Sequence, residues 1–291
     1  MKLKQYPHAL KCLACYYKAR SRFAKKNSSQ VRVSGTSSRL PVLSLTSIKP
    51  RLKTLHLAIH HVLSGGPELS AVEIWLDHSL RGEITPELRW LESNGCTLNF
   101  VEDIGPHTKL IYCLQKHPEA AVITIDDDIL LPEHSLDVLL EAAKFHPDTV
   151  ICNRARKIQL DQHGRAMTYS AWRVMPHASL EPEMGIMPLG YGGILYPKYS
   201  LHPSFADGSQ FKKLCPTGDD LWFMAMRLIN RKNAYNTGHL GGGEIAIPGS
   251  GKHCIKNRHQ HVRGNNDESI TRLFDTLDLS RHIAVSSTES V

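Results

Sequence analysis

Residues Ala121 to Pro132 read Ala-Val-Ile-Thr-Ile-Asp-Asp-Asp-Ile-Leu-Leu-Pro, three adjacent carboxylates between two apolar runs. The first run is β-branched and uncharged, the pattern of a strand buried on both faces of a parallel sheet. Acids at the end of such a strand are costly to desolvate unless a cation or hydrogen-bond donors meet them. In α/β proteins the carboxyl ends of the strands are where ligands bind. Carboxylates there suit a hard divalent ion, Mg²⁺ or Mn²⁺, and through it a phosphorylated substrate. The plainer alternative is an acidic loop that caps the following helix.

The pattern around this segment alternates. Val42 to Leu45 reads as a strand, followed by Thr46-Ser47 and a helix with Leu52, Leu55, Ile59, Val62 and Leu63 at helical spacing. Ala71 to Leu76 is a second strand closing on Asp77. Thr85 caps a helix that has Pro86 in its first turn and Gly95 just past its end. Thr97 to Val101, a helix near Lys109 to Gln115, the strand Ala121 to Ile125, a helix over Ser135 to Phe145 and a strand over Thr149 to Asn153 complete the series. Strands alternating with helices of this length predict a doubly wound, mainly parallel α/β sheet of nucleotide-binding type. The second half is less regular. It offers Tyr191-Gly192-Gly193, a short strand Ile194 to Tyr196 and a helix from Asp219.

At 291 residues, 41% apolar and 22% charged, the chain has the size and composition of a globular domain with a large core. No apolar run approaches the ~20 residues of a membrane span. The first residues are charged but lack the long apolar run of a secretory signal. The net charge of +7 is local: residues 1 to 67 hold 13 Lys and Arg and no Asp or Glu. Residues 1–40 therefore read as a basic leader and 41–291 as one domain. In the leader, Leu10, Leu13, Tyr16, Tyr17, Arg20 and Phe23 fit an amphipathic helix able to rest on anionic lipid, and a disordered tail fits equally. Seven scattered cysteines do not form a disulfide framework, which points to a reducing, cytoplasmic setting. Cys12 and Cys15 are half of a zinc or redox motif and carry little weight. Aromatic and basic residues interleave in only one short stretch, so no nucleic-acid partner is expected.

Phosphate-cradling loops are absent. Gly251-Lys252 lacks the Walker spacing, with Ala246 and His253 at the required glycine and Ser/Thr positions. Thr46-Ser47-Ile48-Lys49-Pro50-Arg51 stands where a dinucleotide fingerprint belongs. Metal or basic side chains must then neutralise any phosphate. The order strand, Thr46-Ser47, Arg51, helix, strand, Asp77, then Asp103-Ile104-Gly105-Pro106-His107-Thr108-Lys109, strand and Asp126-Asp127-Asp128 resembles the nucleotide-sugar domain of GT-A glycosyltransferases. Nearest are the family-2-like bacterial enzymes of surface-polysaccharide assembly. The resemblance spans about Val42 to Leu279, with 41–153 as the nucleotide-sugar half and 154–291 as the acceptor half.

The resemblance implies roles. Asp128 would hold a Mn²⁺ or Mg²⁺ ion directly, Asp126 the ribose or the ion through water, and Asp127 the donor sugar. Thr46, Arg51 and Asp77 would lie at the nucleoside, and Lys109 near the base or pyrophosphate. Asp220, or else Asp219, in Pro216-Thr217-Gly218-Asp219-Asp220-Leu221-Trp222 would be the general base that deprotonates an acceptor hydroxyl. Tyr191, Gly192, Gly193 and Trp222 would line the acceptor side, although core packing suits Trp222 as well. A late histidine, His253, is a further candidate ligand among 17 histidines. The expected function is metal-dependent transfer of a sugar from a nucleotide donor to a saccharide or lipid-linked saccharide, with peripheral contact at the inner face of a membrane. A sugar-phosphate nucleotidyltransferase and a non-catalytic saccharide- or nucleotide-binding protein of the same fold are the alternatives.

Overall fold

A computed structural model describes residues 6–25, 40–64, 66–240, 245–253 and 265–284. Its centre is a seven-stranded sheet. Strands β1 (Val42–Thr46), β2 (Ala71–Asp77), β3 (Cys96–Val101) and β4 (Val122–Thr124) are parallel and ordered β3-β2-β1-β4. Helices α2 (Leu52–Leu63), α3 (Pro86–Ser93) and α4 (Thr108–Lys116) make the crossovers. Beyond β4 lie β10 (Ile194–Tyr196), β6 (Val150–Cys152) and β11 (Ala234–Asn236). Only β10 runs antiparallel to its neighbours. The fold is thus an α/β, mainly parallel sheet flanked by helices.

Both faces of the sheet are covered, which explains its mostly apolar strands. On one side Leu43, Leu45, Ile74 and Ile123 pack under Leu55 and Ile59 of α2, Leu88 and Leu91 of α3, and Leu136 and Leu139 of α5 (Ser135–Phe145). On the other, Val42, Val122, Val150 and Ile194 meet Leu110 and Ile111 of α4 and Leu221, Trp222 and Phe223 of α7 (Asp219–Ile229). Thr85 caps α3 by accepting from the Leu88 N–H at 3.3 Å, and Pro86 follows it.

Two small sheets ornament the carboxyl end. A two-stranded antiparallel pair joins β5 (Ile129–Leu130), which follows the three aspartates, to β12 (Ile245–Ala246), distant in sequence. A second sheet holds β7 (Ala155–Lys157), β8 (Arg173–Val174) and β9 (Ile186–Pro188). Helices α6 (Gly208–Leu214), α8 (Asn265–Leu277) and α9 (Ser280–Ala284) complete the irregular half.

The basic leader is in part an element of the fold. Residues Tyr6–Lys25 form α1, and its Ala19 and Cys12 are buried. The Phe23 ring lies 4.5 Å from His56 and 4.6 Å from Trp90, and Arg22 pairs with Glu133. Between residues 6 and 25 the disordered-tail expectation is therefore replaced by a docked helix. No helix among the described residues is long and apolar enough to cross a membrane.

Candidate active site

The three aspartates end β4 at the carboxyl edge of the sheet, and each has a different environment. Asp127 is buried. Its Oδ1 accepts from Arg51 Nη1 at 2.6 Å and its Oδ2 from the Ser47 hydroxyl at 2.6 Å. Each oxygen of Asp127 thus already accepts one hydrogen bond, and the residue anchors Arg51. Burial pushes its carboxyl up, while the Arg51 guanidinium opposes that shift. Arg51 also reaches Asp128, with Nη2 2.8 Å from Oδ2. Burial, with the charges of Asp126 and Asp127, pushes Asp128 up to about 6.

Asp126 belongs to a second group. Its Oδ1 accepts from Lys109 Nζ at 2.6 Å, and the same ammonium lies 3.1 Å from Asp219 Oδ2 at the start of α7. Lys109 is buried rather than solvated at a helix start. Burial alone would favour loss of its proton, but Asp126, Asp219 and Asp220 outweigh it and hold the ammonium well above the ordinary lysine value. One cation therefore ties the end of β4 to the start of α7. The backbone carbonyl of Lys109 accepts from the buried Ser44 hydroxyl of β1, which fixes the lysine's origin.

Asp219 and Asp220 occupy the first turn of α7, where the helix dipole favours acids. Neither caps the helix, because the residue at the cap is Gly218 with no side-chain bond. Asp220 instead accepts from the Gly190 N–H, at 3.0 Å to each oxygen. A Cβ on Gly190 would stand 2.7 Å from Asp220 Oδ1, so glycine is required for this approach. Burial and the neighbouring Asp219 raise Asp220 well above the usual carboxylate range. Burial also raises Asp219, but Lys109 outweighs it and keeps this acid below its ordinary value. The pair is split into an acid held below its ordinary value beside Lys109 and a more basic one beside Gly190, the arrangement that separates roles at acid–base sites.

Several expected residues lie differently. Thr46 directs its hydroxyl to the Trp75 carbonyl at 2.9 Å, away from the aspartates. Asp77 closes β2 and accepts from the N–H groups of Ser79 at 2.9 Å and Asp103 at 3.3 Å. Trp222 is fully buried and donates to the Phe205 carbonyl at 2.8 Å, so it is a core residue and cannot stack on an acceptor sugar. Tyr191 is half-buried beneath the Arg154 guanidinium, 5.4 Å from its ring centre. Gly192 is set by packing, since a Cβ there would meet Arg154 Cβ at 2.9 Å, and Gly193 has φ +85°. The His253 side chain, Cys254, His259 and His261 lie outside the described residues.

The sequence reading missed Ser47, Gly190 and His107. Ser47 adjoins the chosen Thr46, but strand alternation points neighbouring side chains to opposite faces. His107 is buried with both ring nitrogens unpartnered, and its ring stacks 4.4 Å from Phe211. Burial holds it down to about 4, neutral despite nearby Asp219.

Among the described residues no three His, Cys, Asp or Glu side chains converge as a protein metal cage, and Cys12 and Cys15 belong to none. Asp126 and Asp128 nevertheless each keep one carboxylate oxygen outside the Lys109 and Arg51 contacts. One or two carboxylates completed by substrate phosphates is the usual donor set of Mg²⁺ at phosphate sites, and these residues fit it. A groove of about 500 Å³ lined by Leu40, Pro41, Pro67, Leu140 and Pro197 lies at the opposite, amino-terminal end of the strands and includes none of these residues.

No family model matches the chain, and no curated protein does. Among solved structures, it is similar to TarS residues 1–349 of S. aureus at 13% identity and TM-score 0.44, over 68% of this chain and 60% of that one. It is similar to 4-diphosphocytidyl-2C-methyl-D-erythritol synthase of Anaerococcus prevotii at 11% identity and TM-score 0.37, over 56% and 73%. A CMP:2-keto-3-deoxy-manno-octonic acid synthetase complexed with CTP matches at 12% identity and TM-score 0.36, over 68% and 88%. At these scores the likenesses add nothing to what the strand order already establishes.

Proposed function

We propose that the protein is a metal-dependent glycosyltransferase that passes a sugar from a nucleotide donor to a saccharide or lipid-linked saccharide hydroxyl. The observation that supports this reading is the Lys109 bridge, in which one buried ammonium contacts both Asp126 and Asp219. A donor-phosphate group and an acid pair suited to proton removal thereby share one site. A bound divalent ion would supply positive charge against the diphosphate leaving group. Asp128 and Asp126 would hold it, and Arg51 would remain beside them as a further cation for phosphate oxygens. Asp220 is assigned the general base. Its raised basicity matches the task of taking a proton from a sugar hydroxyl, and the Gly190 N–H orients it. Asp219 stays ionised with Lys109 and holds that cation in place.

The test is to incubate purified protein with a panel of nucleotide sugars, with and without Mn²⁺, and to follow nucleoside diphosphate release. Metal-dependent release from one donor is expected. Pyrophosphate formed from a nucleoside triphosphate and a sugar phosphate would replace this reading with a nucleotidyltransferase. Saccharide binding with no turnover of any donor would replace it with a binding protein.

A further inference from the structure

Helix α1 carries two apolar faces, and the body of the protein covers one of them. Cys12 and Ala19 are buried and Phe23 packs on α2 and α3. On the opposite side Leu10, Ala14 and Tyr17 follow one another at helical spacing, bordered by Leu13. Leu10 is 65% exposed, Tyr17 58% and Leu13 39%. Lys11 and Lys18 run along one edge of this stripe and Arg20 along the other, all exposed. The first acidic residue of the chain is Glu68, so no carboxylate of the first 67 residues offsets these cations.

We propose that this face of α1 lies in the interface of an anionic lipid bilayer, with Leu10, Leu13 and Tyr17 inserted below the headgroups and Lys11, Lys18 and Arg20 on their phosphates. An apolar stripe edged by cations is the pattern of helices that lie in a membrane surface. A second copy of the same helix is the poorer occupant, because it would set these cations against their own kind. The buried face fixes how the domain stands on the bilayer. Cys15, Tyr16 and Ala19 pack with Leu57 and Ala58 of α2, Leu130 of β5 and Ile247 after β12, and β5 follows Asp128 directly. The helix thus flanks the rim that holds the aspartates. That a lipid-linked acceptor is presented there rests on the proposed transferase; attachment to the bilayer does not.

The experiment is sedimentation of the full chain, without donor, with phosphatidylcholine vesicles that lack or contain one-third phosphatidylglycerol. Binding is expected only to the anionic vesicles and weakens as salt is added. Replacing Lys11→Gln and Lys18→Gln together is expected to weaken it about 25-fold, at about fivefold for each lysine at an anionic surface. Replacing Leu10→Ser and Tyr17→Ser together is expected to weaken it at least about tenfold. All four side chains are exposed, and unchanged thermal midpoints would show that both variants remain folded. Equal affinity for both vesicle types, no binding at low salt, or full binding by the Leu10→Ser, Tyr17→Ser variant would overturn the proposal. A lipid-free dimer dissolved by those two substitutions would overturn it in favour of a second copy. Vesicle binding by a protein that turns over no donor would defeat the transferase and leave this inference standing, and turnover without vesicle binding would do the reverse.

Discussion

Asp220 and Gly190 form the tightest local constraint in the site. Gly190→Ala places a methyl group 2.7 Å from a carboxylate oxygen, so the acid must move. Transfer is expected to fall at least about a hundredfold, the usual scale of a displaced acid–base group, with donor affinity unchanged. Loss of donor affinity instead would put Gly190 on the donor side. Because Asp220 is raised, the acid limb of the transfer rate should lie well above pH 4 and disappear in Asp220→Asn; undiminished transfer by that variant would remove the base assignment. A different carboxylate shows the opposite sign. Glu73 is buried in β2 and accepts from Asn99 at 2.6 Å, Lys116 at 2.8 Å and His117 at 2.8 Å. Burial raises this acid, but the three donors outweigh it and hold it below its ordinary 4.5. Its stabilisation is therefore complete above that value and is lost as pH falls through the lower folded-state value. Urea midpoints against pH should show a shallower acid limb for Glu73→Gln than for the native chain, and identical limbs would show that the cluster is not linked to folding.

Among the elements, α7 joins site and core. Its acids begin the helix, and near its end Arg227 is fully buried and donates to the carbonyls of Met184 at 2.9 Å, Ile186 at 2.7 Å and Lys232 at 2.5 Å. Arg227→Met leaves these carbonyls without a partner, at about 1–3 kcal/mol each where water cannot enter. A loss of several kcal/mol in urea unfolding is expected, and a change below 1 kcal/mol would mean that water replaces the guanidinium. The parallel elements were legible because each repeats a short pattern. β1 and β2 are uncharged runs apart from Glu73 and the closing Asp77, α3 has its Thr-Pro start, and Ser135 to Phe145 was read with both ends in place. The edge strand Ala234–Asn236 and the sheet of β7, β8 and β9 were not read, since their two or three residues carry no periodicity to detect. The burial of Trp222 was foreshadowed by its apolar neighbours. The occupation of Asp127 was not, because Ser47 and Arg51 approach it from 80 and 76 residues away.

At the scale of the molecule, β1, α4, β4 and α7 bring four chain segments to one edge, and two cations pair with four of the five aspartates there. Lys109→Met would leave the partly buried Asp126 and Asp219 without their shared partner, and the cost of about 3–5 kcal/mol for breaking a fully buried pair is an upper bound here. The result should be a destabilised protein whose donor binding and transfer fail together, whereas independent failure of one would separate the two acid groups. The sequence placed both acid groups at element ends but could not show that a single lysine joins them, since Lys109 stands 17 residues before Asp126 and 110 before Asp219. The most direct measurement is calorimetric titration of a panel of nucleoside diphosphates into the native protein and Asp128→Ala, with and without Mn²⁺. One nucleoside diphosphate should bind the native protein at least about tenfold more tightly with the metal, a gain of about 1.4 kcal/mol, and Asp128→Ala should lose that gain. Equal affinities with and without Mn²⁺, or the same gain in Asp128→Ala, would contradict a metal–diphosphate site at the end of β4.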